Sequence, residues 1–229
     1  MGGRGGALVA LALTLAPLQA LGEETAATSG IARILVEFRP FATLVPGPGT
    51  SSGRPAFGVD LPARVEYASM NGIWLSLATV LSFGNFLVWF DGTVIVGYSA
   101  EWFAVGACAE TGQPLVFPRL GPTVRIGRLN GVFGTMRLQW SVAPYRYVPY
   151  LPSDAEVELT VPVSDSWRLQ LRGEYQWWKG LWGMVGAQHY LRGSGLGATH
   201  SITFAAGVRY LFEPQTLGPT VSVGYEYRW

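Results

Sequence analysis

Toward the end of the chain apolar and polar residues alternate without interruption. Val221, Val223, Tyr225, Tyr227 and Trp229 share one parity, and Thr220, Ser222, Gly224, Glu226 and Arg228 share the other. Successive side chains of a strand point to opposite faces, so this segment predicts a strand with one apolar and one polar side. The segment before it repeats the pattern, with Ile202, Phe204, Ala206, Val208, Tyr210 and Phe212 against Ser201, Thr203, Ala205, Gly207 and Arg209. Parity has to match across a turn. Pairing Phe212 with Leu217 satisfies that rule and leaves Glu213-Pro214-Gln215-Thr216 as the turn.

The same test works upstream. Val157, Leu159, Val161 and Val163 face Trp167, Leu169, Leu171 and Gly173 across Ser164-Asp165-Ser166, which sets Glu158 opposite Arg172 on the polar face. A third hairpin joins Val124 and Ile126 to Val132, Gly134, Met136, Leu138 and Trp140 through Leu129-Asn130-Gly131, and Asn-Gly is a strong turn signal. Asn71-Gly72 and Asp91-Gly92 predict two more turns. The second opens a strand in which Val94, Val96, Tyr98, Ala100 and Trp102 alternate with polar residues, although Ile95 and Phe103 break the polar face.

The pattern predicts about twelve strands, near 31–45, 62–70, 73–81, 84–90, 93–106, 119–128, 131–143, 155–163, 166–178, 181–190, 199–212 and 217–229. Longer connectors fall at Pro46 to Leu61, Ala109 to Pro118 and Ala143 to Asp154. The stretch from Ala68 to Phe90 holds no charge between its ends and is apolar on both nominal faces around Ile73 to Val80. A transmembrane helix competes there with a strand hairpin, and ten strands is the alternative count; Asn71-Gly72 and Gly84-Asn85 favour the hairpin.

Composition narrows the class. Of 229 residues, 49% are hydrophobic and 14% charged, well below the charge of an average soluble protein, yet mean hydropathy is only +0.25 because apolar residues are interleaved rather than pooled. The 30 glycines and 13% aromatic residues suit strands and tight turns. Net charge is +1 with no basic patch, which argues against a nucleic-acid partner. Cys108 is the only cysteine, so no intrachain disulfide and no cysteine metal cluster can form. Arg4, the apolar run Ala7 to Ala16 and the small residues around Leu18-Gln19-Ala20 form a signal peptide over 1–20, too short for a spanning helix of roughly 20 apolar residues. Residues 21–30 follow as a flexible N-terminus, and 31–229 as the barrel domain.

A soluble sandwich would meet water with an ordinary charged surface, whereas the polar face here is rich in Gly, Ser and Thr and the apolar face carries Tyr and Trp near strand ends. Hydrocarbon offers no partner to a free backbone group, so strands cross a bilayer only when the sheet closes on itself. The expected fold is therefore all-β: an antiparallel transmembrane β-barrel whose last strand pairs with its first. With both termini periplasmic, the three long connectors fall outside.

The terminal Val-Ser-Val-Gly-Tyr-Glu-Tyr-Arg-Trp resembles the C-terminal signature of bacterial outer-membrane β-barrel proteins. The matching positions are Val221, Val223, Tyr225, Tyr227 and Trp229. The resemblance is to the class and to no subfamily. It implies a Gram-negative outer membrane, contact with its lipids, and assembly by machinery that reads this terminus.

Function is expected on the polar face, in the lumen. Its predicted members are Arg125, Arg137, Glu156, Glu158, Arg168, Arg172, Glu174, Arg209, Glu226 and Arg228, a mixture that either lines a narrow water path or cross-links into a plug. Trp178 is expected to face inward near the strand top, and the aromatic Pro144 to Tyr150 loop to extend an interfacial girdle. A small-solute channel or transporter ranks first, a structural or adhesion barrel second, and a lipid hydrolase of the kind found on this scaffold last. His200 and Ser201 are adjacent on one strand, so they point to opposite faces and cannot act together. His189 and His200 lack a third convergent metal ligand. Arg192-Gly193-Ser194-Gly195 precedes no helix and is a turn rather than a phosphate cradle. No cofactor is expected.

Overall fold

Period-two alternation, punctuated by Gly, Asn and Ser, carries through into a single sheet. A computed structural model describes residues 30–45, 54–84, 87–112, 118–128, 131–142, 152–177, 180–191, 199–212 and 215–229. The predicted leader and residues 21–29 lie outside them, as do Leu129-Asn130, the 143–151 segment, Trp178 and the 192–198 turn. Twelve strands follow in order: β1 (Gly30–Val45), β2 (Arg54–Ser69), β3 (Asn71–Gly84), β4 (Leu87–Ala100), β5 (Phe103–Gly112), β6 (Arg119–Gly127), β7 (Phe133–Ser141), β8 (Asp154–Pro162), β9 (Trp167–Gln176), β10 (Gly180–Leu191), β11 (Thr199–Leu211) and β12 (Thr216–Arg228). Each pairs antiparallel with its sequence neighbours, and β12 pairs with β1 to close the barrel.

The closing register sets Arg33 against Arg228 and Val36 against Tyr225. Trp229 completes the seam, its N–H donating to Ala32 O (3.0 Å) and its carbonyl accepting from Ala32 N–H (3.1 Å). No sheet edge is left, so the wall satisfies its own backbone donors and acceptors. Gly30, where β1 begins, and Trp229 lie at the same end of the barrel, here called the terminal end. The connections after β1, β5 and β7, which include the long ones predicted, leave from the opposite, far end.

The wall is inverted relative to a soluble protein. Phe38 and Ile126 are 50% and 70% exposed on its outer face, whereas Glu37 and Arg125, one position away in each strand, are 3% and 2% exposed inside. Outer-face aromatics gather at both ends. Tyr98, Trp102, Trp167, Tyr225 and Tyr227 lie toward the terminal end, and Phe83, Phe90, Trp140, Tyr175 and Tyr210 toward the far end. Between them run Val, Leu and Ile.

Several sequence expectations need correction. Asp91-Gly92 is no turn: it lies inside β4, where Asp91 is buried in the lumen 3.5 Å from Arg119. The reversal occurs at Glu101-Trp102 instead, between β4 and β5. That shift explains Phe103, which no longer breaks a polar face because the turn resets parity and Phe103 points outward. Ile95 does face the lumen, in an apolar cluster with Ala68, Trp74, Ala104, Cys108 and Phe133. The doubly apolar Ile73 to Val80 forms β3 and no helix, with Trp74 in the same cluster and Ala78 and Val80 lining the lumen. In the β11–β12 hairpin Leu217 pairs with Tyr210, not Phe212; the partner is displaced by two residues, so parity is kept. β2 begins at Arg54 and β5 runs to Gly112, so both adjoining connectors are shorter than expected. The β8–β9 register is as read, with Glu158 opposite Arg172.

Glycines shape the wall at two places. Gly97 and Gly106 pair across β4 and β5, and a Cβ at Gly97 would stand 2.2 Å from Val105 O. Gly127 ends β6 with φ at 101°, a conformation that favours glycine, and Gly131 N–H bonds Arg128 O to close the following turn. Gly183 on the outer face is different, since its Cβ would meet nothing nearer than 3.9 Å. Gly97→Ala is expected to cost about 2 kcal/mol or more, and Gly183→Ala to change stability by less than about 0.5 kcal/mol, as read from the midpoint of equilibrium urea unfolding.

Candidate functional site

Closure of the wall turns one parity of every strand inward, and the charges of the chain go with it. Among the described residues the lumen holds ten arginines (33, 39, 64, 119, 125, 137, 168, 172, 209, 228) and ten carboxylates (37, 60, 66, 91, 110, 154, 156, 158, 174, 226). Its formal charge is zero, which is what a poorly hydrated enclosure requires.

Near the terminal end, Glu66 of β2 is the hub. Arg33 of β1 donates Nε and Nη2 to Glu66 Oε2 (2.9 and 2.7 Å), and Trp74 Nε1 donates to Oε1 (3.0 Å). Arg125 lies 3.8 Å from the same carboxylate, over the Trp74 ring, and donates to Ser99 Oγ (2.7 Å). Arg33 also approaches Glu226 (3.7 Å), which pairs with Arg228. Arg168 and Arg228 both lie over the Tyr190 ring. A ladder of neutral groups continues the layer, Gln170 Nε2 donating to Gln188 Oε1 (3.0 Å) and Gln188 Nε2 to Ser201 Oγ (2.7 Å).

At mid-height ion pairs cross the lumen. Arg64 of β2 reaches Glu156 (3.3 Å) and Glu158 (3.5 Å) of β8. Five strands lie between β2 and β8 either way around a twelve-stranded wall, so this contact spans the barrel from side to side. Arg137 holds Glu156 from β7 (2.7 Å), and Arg172 of β9 pairs with Glu37 of β1. The layer divides the interior into a far-end cavity of about 80 Å³ and a smaller one of about 20 Å³ toward the terminal end. Arg64, Arg137, Glu156 and Glu158 line both and form the septum between them. The smaller space holds about one water.

Above the septum, Arg39 pairs with Glu37 (2.8 Å) and lies 4.5 Å over the Trp182 ring, whose Nε1 donates to Glu174 (2.8 Å). Arg209 pairs with Asp60 (2.9 Å) and lies 4.3 Å over Phe41. Arg119 gathers Glu110, Asp154 (3.0 Å) and Asp91 (3.5 Å). These are planar cations held between a carboxylate and an aromatic face or among several carboxylates, a use that suits the guanidinium fork.

The structure places Glu158, Arg168, Arg209, Glu226 and Arg228 buried in the lumen, with Glu156, Arg172 and Glu174 half-buried beside the cavities. Arg125 and Arg137 are buried with them. Half of the charged network was not named from the sequence: Arg33, Glu37, Arg39, Asp60, Arg64, Glu66, Asp91, Glu110, Arg119 and Asp154. Same-parity spacing of Arg33, Glu37 and Arg39, and of Asp60, Arg64 and Glu66, was the available signal. The predicted assembly residues lie on β12, with Val221, Val223 and Tyr225 exposed on the outer face and Tyr227 stacked on Trp229. His200 sits on the outer face against Tyr225 and Tyr227, while Ser201 is buried in the lumen; His189 lies against Trp167. Gln139 Nε2 donates to Cys108 Sγ inside the wall. Among the described residues no group of three His, Cys, Asp or Glu side chains is arranged to hold a metal.

Comparison with protein-family models and with curated proteins finds no match to this chain.

Removing one partner of a buried ionic hub leaves the others desolvated and unmatched. Glu66→Ala is therefore expected to lower unfolding free energy by about 3 kcal/mol or more, whereas Glu101→Ala, which removes an exposed pair with Arg128, should change it by less than about 1 kcal/mol. Denaturant titration of the two variants beside the parent checks the contrast.

Proposed function

We propose that the chain is an integral outer-membrane β-barrel of a Gram-negative bacterium, and that its lumen is a narrow small-solute path closed in this conformation by the Arg64 septum. The observation that supports a membrane location is the inverted wall: large apolar side chains cover the outside while every lumen strand brings charge or hydroxyl groups inward. A soluble barrel reverses that arrangement. Aromatic residues at the two ends of the outer face suit two membrane interfaces. In this reading the terminal end is periplasmic, the outer face contacts outer-membrane lipids, and Val221, Val223, Tyr225, Tyr227 and Trp229 engage the assembly machinery.

The path is narrow because charges from opposite walls meet in the middle. A hydrated ion cannot pass a cavity of about 20 Å³ without displacing Arg64 from Glu156 and Glu158. Loss of that one guanidinium would merge the two cavities. A second reading, a structural barrel without conduction, is favoured by the same septum together with the equal count of opposite charges. Lipid hydrolysis gains no support from His200 and Ser201, which stand on opposite sides of the wall.

Planar-bilayer recording separates the first two readings. Arg64→Ala is expected to raise unitary conductance several-fold over the parent, with Glu158→Ala and Arg172→Ala each altering it. Silence of both the parent and Arg64→Ala, across salts and voltages, would remove the channel and leave the structural barrel. The location is checked by fractionation: the protein should sediment with outer membranes and resist an alkaline carbonate wash, and its recovery from soluble periplasm would overturn the membrane reading.

A further inference from the structure

We propose that the outer-face patch around His200, at the terminal end of β11 and β12, is a pH-responsive binding site for the phosphodiester headgroup of an anionic phospholipid. The inference rests on the membrane reading of the wall and names a lipid class that the wall selects. Register puts His200 beside Leu191 of β10 and Tyr227 of β12, with His189 its diagonal neighbour on β10. Among the described strand residues, no Arg, Lys, Asp or Glu side chain shares the outward parity. The two histidines are therefore the side chains of that outer face able to take a positive charge.

The two rings differ in what an added proton would meet. His189 lies 4.4 Å from the Trp167 ring, and its Nδ1 is buried without a hydrogen-bond partner, so a proton placed there finds no acceptor. His200 is half-buried, its Nδ1 is hydrogen-bonded to the Tyr225 hydroxyl, and its ring lies 4.9 Å from that of Tyr227. A phenol can donate or accept. Toward the neutral imidazole it donates. Once the ring is charged, Nδ1–H donates to the phenol oxygen instead, and the Tyr225 O–H is released to join Nε2–H as a donor to an outside group. The adjoining Tyr227 ring favours the cation.

The titratable groups around His200 are His189 on β10 and Tyr225 and Tyr227 on β12. Trp229 is stacked on Tyr227, and its main-chain oxygen is taken by Ala32 N–H. Glu226 and Arg228 pair with each other on the lumen side of the wall. No carboxylate among the described residues meets the charged ring on its outer side, so an external anion is the partner left to it. The neighbouring surface assigns that anion to a lipid. From Tyr225 toward mid-height the outer face continues through the exposed Val223, Val221 and Phe204. Paired donors at the aromatic girdle above an apolar strip match a phosphodiester with its acyl chains below.

The full-length barrel carrying isotope-labelled histidine gives two ring signals, assigned with His189→Gln and His200→Gln. In neutral detergent micelles it is titrated with dihexanoyl phosphatidylglycerol, with dihexanoyl phosphatidylcholine and with soluble glycerol phosphate. Expected is a saturable shift of the His200 signal with phosphatidylglycerol, tightening about five-fold or more between about pH 8 and about pH 5, the range in which imidazoles take up a proton. Tyr225→Phe is expected to weaken that binding about three-fold or more at the lower pH. Tyr98→His, on β4 at the same end, places an imidazole elsewhere on the girdle and reports general attraction to an anionic lipid; Trp102→His replaces it if boiled and unboiled gel mobilities show that it is not folded. An equal response at position 98, an equal response to phosphatidylcholine or to glycerol phosphate, no tightening at low pH, or undiminished binding in folded Tyr225→Phe would overturn the proposal. A protein that fractionates with outer membranes yet fails this titration loses the site alone, whereas recovery from soluble periplasm removes the membrane reading beneath it.

Discussion

Charge enclosed by a closed wall has to be neutralised where it stands, because each charge moved out of water loses solvation that only an opposite charge or several hydrogen bonds replace. Most of the interior follows from that constraint. Arg33 is oriented by Glu66, Arg125 lies near the same carboxylate, and Trp74 is fixed by its second oxygen, so one carboxylate organises three strands. Arg119 does the converse, one cation serving acids from β4, β5 and β8. Every lumen cation among the described residues is arginine. A lysine would supply a single point charge, whereas the rigid fork can bond two or three acceptors at once and still lie flat on a ring.

Such an interior contributes differently from an apolar core. Buried ion pairs return little net stability over an apolar filling of equal volume, yet they are unforgiving of a wrong partner. The lumen therefore specifies which strands face one another more than it strengthens the sheet. Apolar filling gathers where Ala68, Trp74, Ile95, Ala104, Cys108 and Phe133 meet, next to the close approach of Gly97 and Gly106, and Leu35 and Met184 are buried elsewhere in the wall. The smaller cavity abuts Trp74 and Ile95 of that cluster, and the larger one is lined mainly by charged side chains.

How much of this was legible depended on whether the deciding interaction was local. Alternation in β8, β9, β11 and β12 is unbroken, and parity across Ser164-Asp165-Ser166 fixed the Glu158–Arg172 register without further information. The closed all-β wall followed from the same regularity, and the count of twelve agrees although the expected strands at 84–90 and 93–106 are replaced by β4 over Leu87–Ala100 and β5 over Phe103–Gly112. Asp91-Gly92 misled because its turn propensity is a property of the dipeptide, while its strand conformation is set by pairing with β3 and β5, and Arg119, 28 residues further along the chain and two strands away, stands beside Asp91 in the lumen. The septum was out of reach for a related reason. Arg64 and Glu156 are 92 residues apart, and Arg172 and Glu37 135 apart, and they meet only once the number of strands and the stagger of the closed sheet are set. Arg33, Glu37 and Arg39 are a plainer omission, since their shared parity lay within a single strand.

The seam between β1 and β12 unites the two most distant parts of the described chain, and Trp229 is bonded there to Ala32. Contacts of such sequence separation are the slowest to form, because the whole intervening chain must be ordered before they gain anything. Hairpins built from neighbours can accumulate first, as an incomplete ribbon with two raw borders. Until the last residue finds its place those borders are adhesive toward any other extended chain. The aromatic residues Tyr227 and Trp229 thus sit at the clasp of the sheet, where the first and last strands are held to one another.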